Sequence, residues 1–178
     1  MLSANGRRLT LAELAAAADE PLEAGARFSS DVLFSSGAYA AVVEIERATG
    51  RMRVLRLVAV DDAGTIVNPL LAEGQVIGGS VQGLGASLVE EVVHDEAGQQ
   101  VTASFAGYSL LTAAEIPPIE TAFVESATPL NPLGAKGIGE GGAIGVPAAV
   151  GNAVADALGG RPIDPPFTAA KLWRAASQ

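Results

Sequence analysis

The sequence predicts a mixed α/β fold of the α+β type, with antiparallel hairpins set among glycine-rich helices, and three observations carry that prediction. Two stretches place strand-like runs on either side of a Gly-containing turn, Tyr39 to Glu46 with Met52 to Asp61 and Val89 to His94 with Gln100 to Phe105, which is a hairpin signature. Asn68-Pro69 and Pro147 each open an Ala-, Val- and Gly-rich run of helical length, with Pro at a first-turn position where its missing N–H costs nothing. The 178 residues are 49% hydrophobic yet only 4% aromatic, which suits a tight aliphatic core in one or two domains. Irregular alternation of these elements argues against a doubly wound parallel sheet.

Along the chain, Thr10-Leu-Ala-Glu13 is a capping-box pattern that opens an Ala-rich helix ending near Pro21, because the Thr hydroxyl and Glu carboxylate each satisfy an orphan backbone N–H. Residues 22–36 show no period and form a connector. This divides the chain into an N-terminal helix and connector, 1–36, and a C-terminal domain, 37–178. Ala48-Thr-Gly50 turns the first hairpin, and Asp62-Ala-Gly64 ends it. The helix from Asn68 runs to about Val89 and contains five glycines, 74, 78, 79, 83 and 85, each costing roughly 1 kcal/mol relative to Ala. So many glycines imply that a ligand or another helix approaches the backbone closely. Ile119 to Ser126 is a further strand, Ala127 to Gly142 an irregular loop, and the helix from Pro147 stops at Gly159-Gly160. Thr168 to Ala175 forms a last short helix, with Trp173 expected to anchor it or an interface.

Charge and composition exclude several function classes. Eleven basic and 20 acidic residues give a net charge of −9, and the basic residues are spread from Arg7 to Arg174, so there is no footprint for nucleic acid. With no cysteine there are no disulfides, thiol nucleophiles, or Cys-ligated zinc or Fe–S centres. The lone His94, placed beside a predicted turn, does not support a histidine-built metal site or a Ser-His-Asp triad. Asp61-Asp62 lacks the repeating 12-residue acidic pattern of a calcium loop. No apolar run follows the polar Met1 to Leu11 stretch, so no secretory signal is visible. Val76 to Val89 is too short to span about 30 Å of hydrocarbon. The expectation is a cytoplasmic protein with no membrane role.

The densest candidate for chemistry is Asn131-Pro-Leu-Gly-Ala-Lys-Gly-Ile-Gly-Glu-Gly-Gly-Ala-Ile-Gly-Val-Pro147. Backbone N–H groups freed by glycine and the positive end of a helix favour an anionic ligand, and Lys136 adds a full charge. Glu140 is out of place among donors that seek a phosphate unless it has its own task, and that task is a base. The plainer alternative is a tight turn in which the helix dipole favours Glu140. Gly137-x-Gly139-x-x-Gly142 also fits a dinucleotide fingerprint, but no strand precedes it and Asp156 falls inside a predicted helix, so an NAD-type reading is weak. A second candidate, Glu73 to Gly85, sets Gln75 and Gln82 beside bare backbone. Gln both donates and accepts, which suits a heterocyclic or oxo ligand; a Gly-mediated helix packing face explains the same residues.

Gly37-Ala-Tyr-Ala-Ala-Val-Val-Glu-Ile, Val58-Ala-Val-Asp-Asp-Ala-Gly, Asn68-Pro, Glu73-Gly-Gln-Val-x-Gly-Gly-x-x-Gln-Gly-x-Gly85, Asn131-Pro-Leu-Gly-x-Lys-Gly-x-Gly-Glu140 and Ile144-Gly-x-Pro-Ala-Ala-Val-x-Asn-Ala-Val-x-Asp-Ala157 occur in that order. Together they resemble the C-terminal part of the molybdopterin-binding subunit of molybdenum hydroxylases, the xanthine dehydrogenase and aldehyde oxidase family. The wording is most similar to the aerobic carbon monoxide dehydrogenase large-subunit branch, and the resemblance covers essentially the whole chain.

The resemblance implies the molybdenum cofactor-binding fold of that family, with Glu140 as catalytic base and Lys136, Gly137, Ile138 and Gly139 against the cofactor. It also implies Gln75 as a cofactor contact with Val76, Gly78 and Gly79 beside it. The implied cofactor is molybdopterin cytosine dinucleotide, whose dithiolene holds the metal, so no side-chain metal ligand is expected. The implied reaction is oxidative hydroxylation of an aldehyde, N-heterocycle or similar small substrate, with water as oxygen source. Electrons would leave through 2Fe-2S and FAD on partner subunits. The family's subunit is several times longer, so the chain is expected to be a separately encoded piece of a split subunit or a fragment. It would be inactive alone and complexed with a longer molybdenum-subunit chain, an Fe–S subunit and an FAD subunit. The competing reading is a non-catalytic molybdopterin-binding or assembly module, for which Glu140 would not be required.

Overall fold

In a computed structural model of the chain, residues 2–4, 6–21, 23–29 and 31–177 are described; Leu22 and Ser30 of the predicted connector lie outside them. The chain divides into two compact units, Met1–Asp31 and Val32–Gln178.

The first unit holds a short antiparallel pair, β1 (Leu2–Ala4) and β2 (Arg7–Leu9), which the sequence did not lead us to expect, and helix α1 (Leu11–Ala16). The capping box forms in full: Glu13 N–H donates to Thr10 Oγ1 at 3.1 Å, and Thr10 N–H donates to the Glu13 carboxylate at 2.7 Å.

The second unit is built on a three-stranded sheet of order β3-β4-β5. β3 (Ser36–Glu46) and β4 (Arg51–Asp62) form the predicted antiparallel hairpin, from Ser36 opposite Asp62 to Glu46 opposite Arg51, with a register shift at Val42/Val43. Gly50 takes the left-handed φ of +72° that the turn requires. β5 (Ile119–Phe123) pairs parallel to β4, Leu57 opposite Ile119 through Asp61 opposite Phe123. A parallel partner needs a long crossover, and residues 63–118 supply it.

Helix α2 (Pro69–Leu88) starts where Asn68-Pro69 sets it, with Asn68 Oδ1 accepting from Leu71 N–H. Helix α3 (Gly141–Ala157) packs against β3 and α2, and helix α4 (Ala169–Ala176) is capped by Thr168. The core is aliphatic apart from Phe167: Leu57, Leu84, Val146, Val150, Val154, Leu158 and Leu172 are buried together with it.

Three expectations need correction. α3 begins at Gly141, not Pro147, so Pro147 lies inside the helix. Its ring removes one ladder hydrogen bond, which typically costs about 3 kcal/mol, but Gly142 and Gly145 let the preceding turns seat on α2 and β3, and that packing carries the helix past the proline. The second hairpin is only a turn. Asp95 Oδ1 accepts from Ala97 and Gln99 N–H, and His94 bridges Gln100, but no strands extend from it. Val92, Val93, Val101 and Phe105 are exposed, and a two-stranded ribbon without a packed face is marginal in water. Finally, Leu172 is fully buried and anchors α4 in place of Trp173, which is 48% exposed; of the two roles expected of Trp173, only that of helix anchor is corrected.

Candidate functional site

The predicted loop and the predicted helix meet. Gln75, exposed on α2, donates from Nε2 to the Gly139 carbonyl at 3.2 Å, joining two segments 64 residues apart. Glu140 is the N-cap of α3: its carbonyl accepts from Ile144 N–H at 3.0 Å, and its side chain makes no capping bond. Its exposed carboxylate has no hydrogen bond or ion pair among the described residues.

The loop before Glu140 is held in place residue by residue. Gly134, at φ +68°, turns the chain with its N–H on the Asn131 carbonyl, and Asn131 Nδ2 donates to the Ala135 carbonyl at 2.8 Å. Ala135 bridges Gly64, and Lys136 N–H donates to the Ala63 carbonyl at 2.8 Å. The Lys136 ammonium lies 2.8 Å from Asp62 Oδ2, with both side chains about 15% exposed. Lys136 is therefore spent on a partly buried ion pair, and neither its charge nor its backbone N–H faces open space. Asp62 also accepts from Gly64 and Ser126 N–H at Oδ1. Hydrogen bonding from Lys136 leads these effects in holding the Asp62 pKa down at about 2.

The glycines fall into two groups. Gly74, Gly78 and Gly137 have nothing within 4 Å of where a Cβ would stand, and Gly139 has only the Gln75 amide at 3.9 Å. Gly79 and Gly83 face α3 instead. A Cβ on Gly83 would meet the Gly142 carbonyl at 2.9 Å and the Val146 side chain at 3.0 Å. Val76, expected beside the cofactor, is 1% exposed and belongs to the core. Gln82 is exposed on α2, and Ile138 is half-buried between the two open loop glycines.

Sequence reasoning missed Tyr39 and Asp61. Tyr39 Oη donates to Asp61 Oδ1 at 2.6 Å, and Asp61 is only 5% exposed with Oδ2 unpartnered. Burial, then the Asp61 hydrogen bond and charge, push the Tyr39 hydroxyl well above its ordinary pKa. A Cβ on Gly141 would stand 2.8 Å from Asp61 Oδ1 and 2.9 Å from Tyr39 Oη, which puts the pair directly beside the first residue after Glu140. The available signal was Asp61 at an inward-facing strand position, following Leu57 and Ala59 at period two. His94 is exposed, as expected of a turn histidine.

Among the described residues no group of three His, Cys, Asp or Glu converges as a metal site, and no helix is long and apolar enough to cross a membrane. The strand-turn-helix geometry of a dinucleotide fingerprint is absent from the Gly137 to Gly142 segment, because β5 ends at Phe123 and 17 residues separate it from α3.

The profile of the molybdopterin cofactor-binding domain family matches residues 1–117, which includes Gln75 and stops short of the Glu140 loop. The nicotine 6-hydroxylase large subunit of Paenarthrobacter nicotinovorans is 43% identical over 130 residues, covering 73% of this chain and 16% of that protein. The aldehyde oxidoreductase molybdenum-binding subunit PaoC of Escherichia coli K12 is 46% identical over 132 residues, covering 73% of this chain and 18% of that protein. Among solved structures, the Cu,Mo-CO dehydrogenase in its carbon monoxide reduced state superposes with a TM-score of 0.77 at 37% identity, covering 80% of this chain and 18% of that one. The chain thus spans less than a fifth of the length of each of these proteins.

Proposed function

The chain belongs to the molybdopterin cofactor-binding domain family, and from that premise we propose that it forms one wall of a molybdenum hydroxylase active site and supplies the catalytic base, Glu140. The observation that carries this reading is the isolation of Glu140, an exposed carboxylate without a partner at the N-terminus of α3, between open backbone at Gly137 and Gly139 and the helix that follows.

The residues present fit a pterin cofactor on one side. Bare backbone at Gly74, Gly78 and Gly137 leaves room for a flat ligand, and Gln75, with Nε2 already on the Gly139 carbonyl, keeps Oε1 and one N–H for it. Gln75, Gly78, Gly137, Ile138 and Gly139 are the direct contacts in this proposal. Val76 and Gly79 support α2 from the packed side, and Lys136 fixes the start of the loop. A molybdenum pterin, when bound, supplies the two-electron oxidation of the substrate. Glu140 takes up at its carboxylate oxygens the proton released as water-derived oxygen is added to the substrate. Residues 37–178 constitute the cofactor-binding domain in this reading, with 1–36 as its N-terminal helix and connector.

The cofactor is proposed as the cytosine dinucleotide form, and the substrate as an aldehyde, N-heterocycle or similar small molecule. The working enzyme is a cytoplasmic complex with a longer molybdenum-subunit chain and with subunits carrying 2Fe-2S and FAD, and the isolated chain is inactive. The experiment is Glu140→Gln in that complex. Molybdenum, Fe–S and FAD contents should match wild type, while the reductive rate per molybdenum falls on the order of 100- to 10,000-fold, as for removal of a general base. Equal rates per molybdenum would leave the non-catalytic, cofactor-holding alternative.

A further inference from the structure

Two consecutive carboxylates end β4, and alternation along a strand sends them to opposite faces of the sheet. Asp61 lies on the α3 side beneath Gly141, bonded to Tyr39; Asp62 lies on the other and takes Lys136. The loop that carries Glu140 therefore begins at a residue bound to Asp62 and ends at one packed on Asp61. We propose that Asp61 and Asp62, with Tyr39, are the positioning residues of the Glu140 loop, one strand end gripping it at both of its ends.

Two observations favour this over ordinary packing. Buried carboxylate oxygens without partners are rare and call for a reason. Asp61 Oδ2 is the one carboxylate oxygen of this kind among the described residues, and the positive end of α3 beside Gly141 supplies the field that tolerates it. The space is also closed to variation. A Cβ at Gly141 would enter Asp61 and Tyr39, a Cβ at Gly37 would stand 2.7 Å from Asp61 Oδ1, and a Cβ at Gly64 would enter the Gly134 carbonyl. The strand end and both loop ends thus fit one another in a single arrangement. Between the grips, Gly137 to Glu140 is held by backbone only at the Gln75 bond and the start of α3, so small displacements at either end reach the Glu140 carboxylate.

The inference rests on the reading of Glu140 as the base, but its first test does not. Amide hydrogen exchange of the full chain is measured for Tyr39→Phe, Asp61→Asn, Asp61→Ala, Asp62→Asn and Lys136→Met, each checked for cooperative thermal unfolding. Asp62→Asn and Lys136→Met should each speed exchange at 134–138 at least tenfold, and the double variant should add little to either. Tyr39→Phe and Asp61→Ala should speed exchange at 140–145, while Asp61→Asn, which keeps an acceptor for Tyr39, restores most of the protection. Exchange in α4 should stay as in wild type. Unchanged exchange in the loop, or acceleration spread equally over α4, overturns the proposal. Should Asp61→Ala fail to fold, Tyr39→Phe, which leaves the core volume intact, decides the Asp61 end. In the loaded complex, Tyr39→Phe and Asp62→Asn should lower kcat per molybdenum about tenfold or more at unchanged KM and molybdenum content. If Glu140→Gln leaves turnover unchanged, the base reading falls and the exchange result still decides the grip.

Discussion

Within α2 the two sets of glycines do opposite work. Gly79 and Gly83 face α3, where a Cβ on Gly83 would collide with the Gly142 carbonyl and one on Gly79 would touch the Gly142–Ala143 backbone, and Gly74 and Gly78 face open space. The first pair brings two helix backbones close enough for Gly142 to sit over Ser80, and the buried Leu84 and Val146 join the same core. The second pair has no neighbour to justify its cost, since an exposed helical glycine forfeits roughly 1 kcal/mol against alanine with nothing in the chain to offset it. In the function proposed above, a ligand from outside the chain, bound on this outer face beside Gln75, offsets that cost.

Substitutions on the two faces test this contrast directly. The largest stability effect should come from Gly83→Val, which forces side-chain carbons into the α2–α3 contact; unfolding in urea should show a loss of roughly 1–3 kcal/mol with little change in the slope. A wild-type midpoint for this variant would mean that the two helices do not depend on their close approach. Gln75→Ala is the next largest and acts on the outer face. It should leave the folded fraction unchanged and weaken cofactor retention by roughly 1–3 kcal/mol, the cost of leaving a buried ligand group unpaired, as measured by molybdenum and pterin content after dialysis. Gly78→Ala sharpens the comparison, because it should raise thermal stability by roughly 0.5–1 kcal/mol while lowering cofactor content. A variant both more stable and fully loaded would show that Gly78 is not a contact.

The smallest effect is the pH response of the loop anchor. Because the folded Asp62 pKa is depressed to about 2 by Lys136 and by backbone N–H donors, its contribution to stability is fully present above its unfolded value near 4 and is lost as pH falls through about 2. Wild type and Asp62→Asn should therefore differ in unfolding midpoint at pH 6, converge between pH 4 and pH 2, and coincide below that.

Some elements were legible because their cause lies within a few residues. Thr10 to Glu13 closes its own capping box, Asn68-Pro69 caps α2, and Gly50 turns β3 into β4 with the expected pairing. Gln75 and Glu140 were singled out from residue type and spacing, and the fold sets their segments side by side. The errors came where the deciding partner is distant. Val89 to Phe105 has strand-like residues and a good turn at Asp95 to Gly98, yet no third element covers its apolar side chains, so the ladder stops at one bridge. α3 starts six residues before Pro147, because Gly142 and Gly145 find α2 and Tyr39 to pack on.

By itself, then, the sequence determined the β3–β4 hairpin, the caps of α1 and α2, the aliphatic core and the candidate loop, since hydrogen bonds between chain neighbours and the burial of aliphatic side chains need no knowledge of what lies across the fold. Only the tertiary structure decided which glycines are packed and which are open, that Lys136 belongs to Asp62, and that Asp61 waits with Tyr39 under the start of α3. Those outcomes depend on backbones approaching within van der Waals distance and on charges meeting in partly buried space, and both are set by residues at least 22 positions away in the chain.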